Sequence, residues 1–521
     1  MKELRFQAPK NVFPKFRGLT SHPFYARMEA FLSLRDTKFM GSKTDFFLGR
    51  EAELAELNEL WAKPGASLVV CRGRRRIGKS TLVEHFARQG KCRFLKIEGK
   101  APEPGQTNQD QLDEFCRSLS AQTGTARKQA ADWGTAFSLL DQALSGNRKT
   151  VVLLDEISWM GRHDGGFPGD LKIAWDNLFR KHPRLILVLC GSVSAWISEN
   201  ILNNTGFVGR ISRDVVLREL PLRDCVRFWG KKAKRMSTRD IVDILSVTGG
   251  VPKYLEEIDP SVSADENIRR LCFRPSGPLV HDFTQIFNDV FGASATGKRE
   301  ILRILGDGAK TGSEIAEFMG TERGGHIARN LEELALAGFV AQDSGLNPET
   351  GSRARQGRYR LADNYTRFFL RFIEPHLPEI EAGRFAFASL DSLPGWETTL
   401  GLQFENLVVN HAMELMPFLH LDGIPVLSAA PYLKRRSESG AGVQIDLLIQ
   451  TRKSLYAVEI KRRREIGEEI EKEVADKLAR IHANRGMSLR AALVYEGRLA
   501  PVVRGNAWFD AIVPIDLLLG I

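Results

Sequence analysis

The chain has 521 residues, 43% of them hydrophobic and 26% charged, the make-up of a soluble globular protein too long to fold around one core. It holds no apolar run long enough to cross a bilayer, and its first residues are charged without the apolar stretch of a signal peptide, so a cytoplasmic protein with no membrane partner is expected. A formal net charge of +10 and a pI of about 9.3 point to a polyanionic partner, and the six cysteines, none in CxxC spacing, read as reduced thiols rather than disulfides or a zinc site.

Residues 1–45 are basic and rich in Phe and Pro, with one helical stretch at 23–34, and read as an extension. Phe47-Leu48-Gly49-Arg50-Glu51 then opens a helix over 51–61 whose Leu54, Leu57 and Leu60 share a face. The apolar run Leu68-Val69-Val70-Cys71 leads into Gly73-Arg74-Arg75-Arg76-Ile77-Gly78-Lys79-Ser80, a complete GxxxxGK(S/T) pattern, and helical spacing resumes over 81–87. Strand, glycine loop and helix start in that order make a phosphate cradle: Gly73 and Gly78 let backbone N–H groups turn inward, and the new helix adds its positive end. Lys79 would reach the outer phosphates of a nucleoside triphosphate and Ser80 would hold Mg²⁺, with Arg76 and Thr81 completing the loop's candidate nucleotide-binding set.

Such a metal needs a carboxylate, and the attacking water needs orienting. Thr150-Val151-Val152-Leu153-Leu154 is a fully apolar strand closed by Asp155, which would bind Mg²⁺ through water, and Glu156, which would polarise the water. Strands near 68–71, 93–97, 151–154 and 185–190 alternate with helical stretches, so 46–220 reads as a parallel sheet wrapped by helices, followed by a helical region at 221–292. No guanine-specifying NKxD pattern follows the sheet, which makes ATP the preferred nucleotide.

Over 293–375 three short helices, at 299–305, 311–319 and 326–337, precede two strands at 339–341 and 359–361, the order of a winged helix. The third helix offers Arg323, His326 and Arg329 against Glu332 and Glu333, a poor set for reading bases. The wing, with Arg353, Arg355, Arg358 and Arg360, is the better phosphate contact. Nucleic-acid binding and a structural or protein-contacting role both stay open for this region.

An α/β pattern resumes over 376–521. Residues 444–449 and 455–461 read as adjacent strands joined at 451–454; period-two alternation puts Glu459 and Lys461 on one face, and Asp446 could join them across the ladder. Glu405, in a helical stretch at 403–409, could add a further acid. Carboxylates around a second Mg²⁺ or Mn²⁺, beside a lysine, are what metal-dependent phosphodiester hydrolysis requires.

With these motifs the chain resembles the archaeal-type ATPases of the AAA+ and STAND group. The resemblance covers nearly everything after residue 46 and rests on residues 47–51, the Arg-rich loop, Leu153-Leu154-Asp155-Glu156, Cys190-Gly191-Ser192, Val208-Gly209-Arg210 and residues 248–255. It implies a P-loop ATPase core with a helical lid, a winged helix and a nuclease-like C-terminal domain. By that resemblance Gly49 and Arg50 lie near the adenine, Ser192 takes the place of a polar γ-phosphate sensor, Arg210 that of an arginine finger or inter-subunit contact in an oligomer, and Pro252 shapes the lid; Lys79 and Glu156 complete the catalytic set. The acid, D and ExK pattern resembles the PD-(D/E)xK nucleases and implies a restriction-endonuclease-like domain whose active site is Glu405, Asp446, Glu459 and Lys461. An ATP-driven switch, an effector nuclease under its control and a non-catalytic nucleic-acid or protein-binding scaffold are the functions these features allow.

Overall fold

The computed structural model describes residues 47–521 apart from 145, 147, 193, 322–323, 354–356, 386–388, 436–441, 485 and 506. The expected extension at 1–45, Arg323 and Arg355 lie outside the described residues.

The apolar runs of the first half become one parallel sheet. Its strands are β1 (Ser67–Gly73), β2 (Arg93–Glu98), β3 (Thr150–Asp155), β4 (Leu185–Gly191) and β5 (Ile211–Leu217), in the order β2-β3-β4-β1-β5. Helix α1 (Glu51–Glu59) precedes β1, and α2 (Lys79–Gln89) follows the phosphate loop; α3 (Asn108–Thr123) and α4 (Trp133–Ala143) precede β3, and α5 (Ile157–Met160) and α6 (Phe167–Asn177) lead to β4. β3 and β4 are buried along their whole length, as strands inside a helix-covered parallel sheet must be. Leu68, Val70, Ile97, Phe137, Leu154 and Leu187 belong to one core, each worth roughly 1.5–3 kcal/mol when fully buried. Because the strands are parallel, Gly73, Asp155 and Gly191 open on the same edge. Strand β5 escapes sequence reading: among the described residues it pairs with β1 alone, and its Ser212, Arg213 and Asp214 break the apolar pattern. All six cysteines are free thiols, and among the described residues no helix is long and apolar enough to cross a membrane.

The helical region holds α7 (Leu222–Arg227), α8 (Thr238–Thr248), α9 (Pro252–Leu255), α10 (Ala264–Cys272) and α11 (Asp282–Phe291). Then come α12 (Ala295–Gly306), β6 (Lys310–Thr311), α13 (Gly312–Phe318), α14 (Gly325–Leu336), β7 (Val340–Asp343) and β8 (Arg358–Leu361), with an antiparallel sheet ordered β6-β8-β7. Thr311 and Glu314 form a capping box that starts α13 where the sequence turns from loop to helix. Two wing arginines are not free phosphate contacts. Arg358 pairs with Glu314 at 3.3 Å, and Arg360 pairs with Asp343 at 3.0 Å and donates to Asn410 at 2.8 Å. The two arginines lie two positions apart on β8 and so share a face, on which Arg360 meets Asp343 diagonally across the β7–β8 ladder and Arg358 meets Glu314 of α13. Arg329 likewise pairs with Glu333 and with Glu199 of the ATPase core, so α14 faces that core.

The C-terminal part contains α15 (Asn364–Phe368), α16 (Trp396–Asn410), β9 (Ser428–Lys434), β10 (Val443–Gln450), β11 (Ser454–Ile466), α17 (Glu469–Leu478), β12 (Ser488–Leu499) and β13 (Ala511–Pro514). Its sheet runs β13-β12-β11-β10-β9: β9, β10 and β11 are antiparallel neighbours, and α17 carries the chain from β11 to its parallel partner β12.

Candidate nucleotide site and C-terminal acidic centre

The phosphate loop owes its shape to three left-handed residues: Gly73 (φ 149°), Arg76 (φ 70°) and Gly78 (φ 90°). A Cβ on Gly73 would meet Leu217 O at 2.5 Å, so only glycine fits where β1 runs beside β5. Lys79 opens α2 and is buried, its ammonium donating to the carbonyls of Gly73 and Arg74 at 3.1 Å each. Next to it Ser80 Oγ donates to Asp155 Oδ2 at 2.6 Å, while Lys96 of β2 pairs with the same carboxylate at 3.3 Å. Thr81 is exposed on the first turn of α2. Glu156 takes a left-handed conformation (φ 48°) at the start of α5, and its Oε2 accepts from Ser192 Oγ at 2.9 Å and Ser192 N–H at 3.3 Å. The structure thus brings together Lys79, Ser80, Asp155, Glu156 and Ser192 at the carboxyl edge of β1, β3 and β4. A hydroxyl and a carboxylate already in contact are hard oxygen donors, and they fit Mg²⁺.

The flanking residues brace this edge. Arg50, buried and left-handed (φ 66°), donates to Arg218 O at 2.6 Å and Ile77 O at 3.2 Å, tying α1 to the loop and to the end of β5. Gly49 (φ 68°) packs where a Cβ would lie 3.0 Å from Asp224 Oδ2. The turn before Pro252 closes on the same place: Leu220 N–H donates to Gly250 O at 2.8 Å, Gly250 N–H donates to Glu219 Oε2 at 3.1 Å, and Pro252 Cγ is 4.0 Å from the Cβ position of Gly78.

Arg210 is not brought to the loop. It precedes Ile211, which pairs with Leu68 near the start of β1, whereas Gly73 pairs with Leu217, so Arg210 stands at the opposite edge of the sheet, about 20 Å along the strand. Its guanidinium is held by both oxygens of Asp176, at 2.8 and 2.9 Å. Three contacts lie beyond sequence reading: the loop arginines 74, 75 and 76 pair with Asp363, Asp289 and Asp282, acids more than 200 residues downstream.

In the C-terminal sheet Asp446 lies one residue beyond the Leu447↔Val458 pair, opposite Glu459, and accepts from Ile460 N–H at 2.9 Å. Burial, with Asp446 and Glu459 beside it, pushes Glu405 of α16 up to about 7; burial and Glu459 push Asp446 up to about 6. The expected acids therefore share one field. Glu459, however, is 2% exposed and held by two lysines, Lys461 at 2.6 Å and Lys477 of α17 at 2.6 and 2.7 Å. Among the described residues no group of three His, Cys, Asp or Glu side chains is arranged to hold a metal ion. A second Mg²⁺ or Mn²⁺ thus does not fit this arrangement, because Lys461 and Lys477 already neutralise the carboxylate it would use. Lys477 could not be read from the sequence, since nothing in α17 ties it to the ExK strand.

Residues 47–258 match the family model described as an ATPase domain predominantly from Archaea. The matched residues are similar to an archaeal-type ATPase domain, and over them the chain has an α/β fold with a parallel sheet. It is similar to the uncharacterized protein MJECL04 of Methanocaldococcus jannaschii, 24% identical over 373 residues that cover 71% of this chain and 78% of that one. Among solved structures it is similar to the Walker-type ATPase of Pyrococcus abyssi (17% identity, 63% of this chain and 97% of that chain, TM-score 0.47) and to the ORC2 protein of Aeropyrum pernix in its ADPNP–ADP complexes (15%, 65% and 96%, 0.35).

Proposed function

We propose that the protein is an ATP-binding and ATP-hydrolysing molecular switch of the AAA+ and STAND type. The observation that carries this reading is the pair of contacts Ser80–Asp155 and Ser192–Glu156 on one sheet edge, directly beyond the phosphate loop. Lys79 exchanges its two carbonyl partners for β- and γ-phosphate oxygens, and the N–H groups at the start of α2 hold the same phosphates. Ser80 and, through water, Asp155 hold Mg²⁺, which when bound supplies charge neutralisation between the phosphates. Glu156 orients the attacking water while Ser192 fixes its carboxylate. Gly49, Arg50, Arg76, Thr81 and Pro252 frame the nucleotide, and closure of the 249–252 turn on the loop passes the nucleotide state to the lid. Arg210 serves a neighbouring subunit or an inter-subunit contact. Turnover with Glu156→Gln tests the reading: ATP affinity persists and hydrolysis is lost, and a variant that hydrolyses ATP at the normal rate would refute it.

The downstream domains are the switch's output. The order α12-β6-α13-α14-β7-β8 supports a winged helix at 293–375, and the order α16-β9-β10-β11-α17-β12, with Glu405, Asp446, Glu459 and Lys461 on neighbouring elements, supports a PD-(D/E)xK-like fold at 376–521. A basic chain that acts on or near nucleic acid in the cytoplasm fits both. The lysine-bound Glu459 favours a second reading, a nucleic-acid or protein-binding scaffold whose nuclease fold does not cut. Cleavage assays separate the two.

A further inference from the structure

The three consecutive arginines of the phosphate loop are not equivalent. Arg74 is buried against Asp363, with its guanidinium over the rings of Tyr254 and Phe339. Arg76 pairs with Asp282, a buried carboxylate that also accepts from Tyr254 Oη at 2.6 Å. Both pairs are parts of a packed junction. The partner of Arg75 is Asp289, which is 47% exposed, and an exposed ion pair is weakly held. The Arg75 guanidinium also lies 5.6 Å from the centre of the Trp159 ring. Trp159 stands on the first turn of α5, and its N–H donates to Glu156 O at 2.8 Å. An exchangeable cation is therefore held beside the turn that presents the water-orienting carboxylate.

We propose that Arg75 is a catalytic residue of the ATP site, acting within its own chain. With ATP bound, its guanidinium leaves Asp289 for the γ-phosphate oxygens, for which its planar fork is as well shaped as for a carboxylate. There it neutralises the charge that builds as the water oxygen bonds to the γ-phosphorus and the bond from that phosphorus to the β–γ bridging oxygen breaks. The electron pair of the broken bond leaves with ADP, and the water gives up its proton to the Glu156 carboxylate to yield inorganic phosphate. Asp289 docks the guanidinium between turnovers, and the Trp159 face keeps it aimed at the loop. Arg210 stands at the far edge of the sheet, bound to Asp176, and Arg50, Arg74 and Arg76 are tied to buried carboxylates or backbone carbonyls, so among the described arginines at the loop Arg75 is the one whose acidic partner is exposed.

The proposal rests on the hydrolytic reading above, and the full-length chain tests both. For wild type, Arg75→Ala and Arg75→Lys, the measurements are ATP and ADP affinity, phosphate release at saturating ATP, and trapping of ADP by aluminium fluoride, which mimics the transferring phosphoryl group. Arg75→Ala is expected to keep nucleotide affinity, to lose about 10²-fold or more in turnover and to fail to trap ADP with aluminium fluoride; Arg75→Lys, which keeps the charge but not the fork, falls between. A role in packing on Trp159 alone would lower thermal stability without this split between binding and turnover. Arg75→Ala that turns over within about threefold of wild type, or traps ADP as wild type does, overturns the role of Arg75 alone. Wild type that binds ATP and releases no phosphate overturns the hydrolytic reading, and the role of Arg75 with it.

Discussion

Arg74 Nη1 and Asp363 Oδ1 meet at 2.5 Å across 289 positions of sequence, joining the phosphate loop to the residue that caps α15. Asp363 Oδ2 accepts from Thr366 N–H at 3.1 Å, and the next residue, Asn364, exchanges hydrogen bonds with α16: its Nδ2 donates to Gln403 O at 3.2 Å and its carbonyl accepts from Gln403 Nε2 at 2.6 Å. Helix α16 carries Glu405. The nucleotide loop and the acidic centre are thus one capped turn and one helix apart, a short rigid route by which one could bias the other.

Replacing Asp363 by Ala leaves the Arg74 guanidinium buried without its carboxylate and strips the cap from α15. Removing one partner of a buried pair costs about 3–5 kcal/mol, far more than an exposed pair is worth. Urea unfolding should show a loss in that range, whereas Arg329→Ala, whose own side chain is exposed and whose partner Glu333 keeps its pair with Lys298, should change stability by no more than about 1 kcal/mol.

Ser192→Ala removes the hydroxyl that fixes Glu156 and leaves the Mg²⁺ donors in place. Phosphate release should fall by about 10-fold with ATP affinity unchanged, while Glu156→Gln should lose about 10²-fold or more. Equal turnover in both variants and wild type would remove the pair from the mechanism.

Acid protonation gives a test that needs no nucleotide. Glu405 is raised from 4.5 to about 7 in the folded protein, so the native state holds its proton more tightly than the unfolded chain does. The stabilisation this brings is present below about pH 4.5 and is lost as the pH rises through about 7. Glu405→Gln should therefore raise the melting temperature at pH 8 and change it little at pH 5; an equal shift at both values would mean that the acids do not share a field.

The C-terminal domain is expected to stay inactive while Lys461 and Lys477 hold Glu459. With Mn²⁺, alone or together with ATP, plasmid should therefore remain intact, because both lysines occupy the carboxylate that a metal would use. Cleavage that survives Asp446→Ala with Lys461→Ala would remove the nuclease assignment, and no cleavage under any condition favours the scaffold.

Much of the candidate nucleotide site could be read from sequence because its geometry is local: a loop between a strand and a helix, and two acids at the end of an apolar strand. Glu405, Asp446 and Glu459 could be named from a helical stretch, strand period and the ExK pattern, but nothing in the sequence says that they converge; the fold brings them into one field. What stayed hidden is set by tertiary contact. Strand β5 carries polar residues because it pairs on one side only, and the aspartates that meet Arg74, Arg75 and Arg76 have no signature before the chain folds back. Lys477 sits on a helix face that reads as ordinary solvated charge, and Arg358 and Arg360 look like a phosphate-binding wing until Glu314 and Asp343 are seen beside them. Arg210 matches the Gly-Arg pattern of the resemblance in sequence, yet only the register of β5 against β1 reveals that it stands at the opposite sheet edge from this chain's own phosphate loop.

The most direct measurement is ATP binding and phosphate release by the full-length protein with Mg²⁺, wild type beside Lys79→Ala. Lys79 turns its ammonium onto the loop's own carbonyls, ready to exchange them for phosphate. The expected result is saturable ATP binding and steady phosphate release by wild type, with both lost in Lys79→Ala. Lys79→Ala that binds and hydrolyses ATP as wild type does would contradict the assignment of residues 73–80 as the nucleotide site.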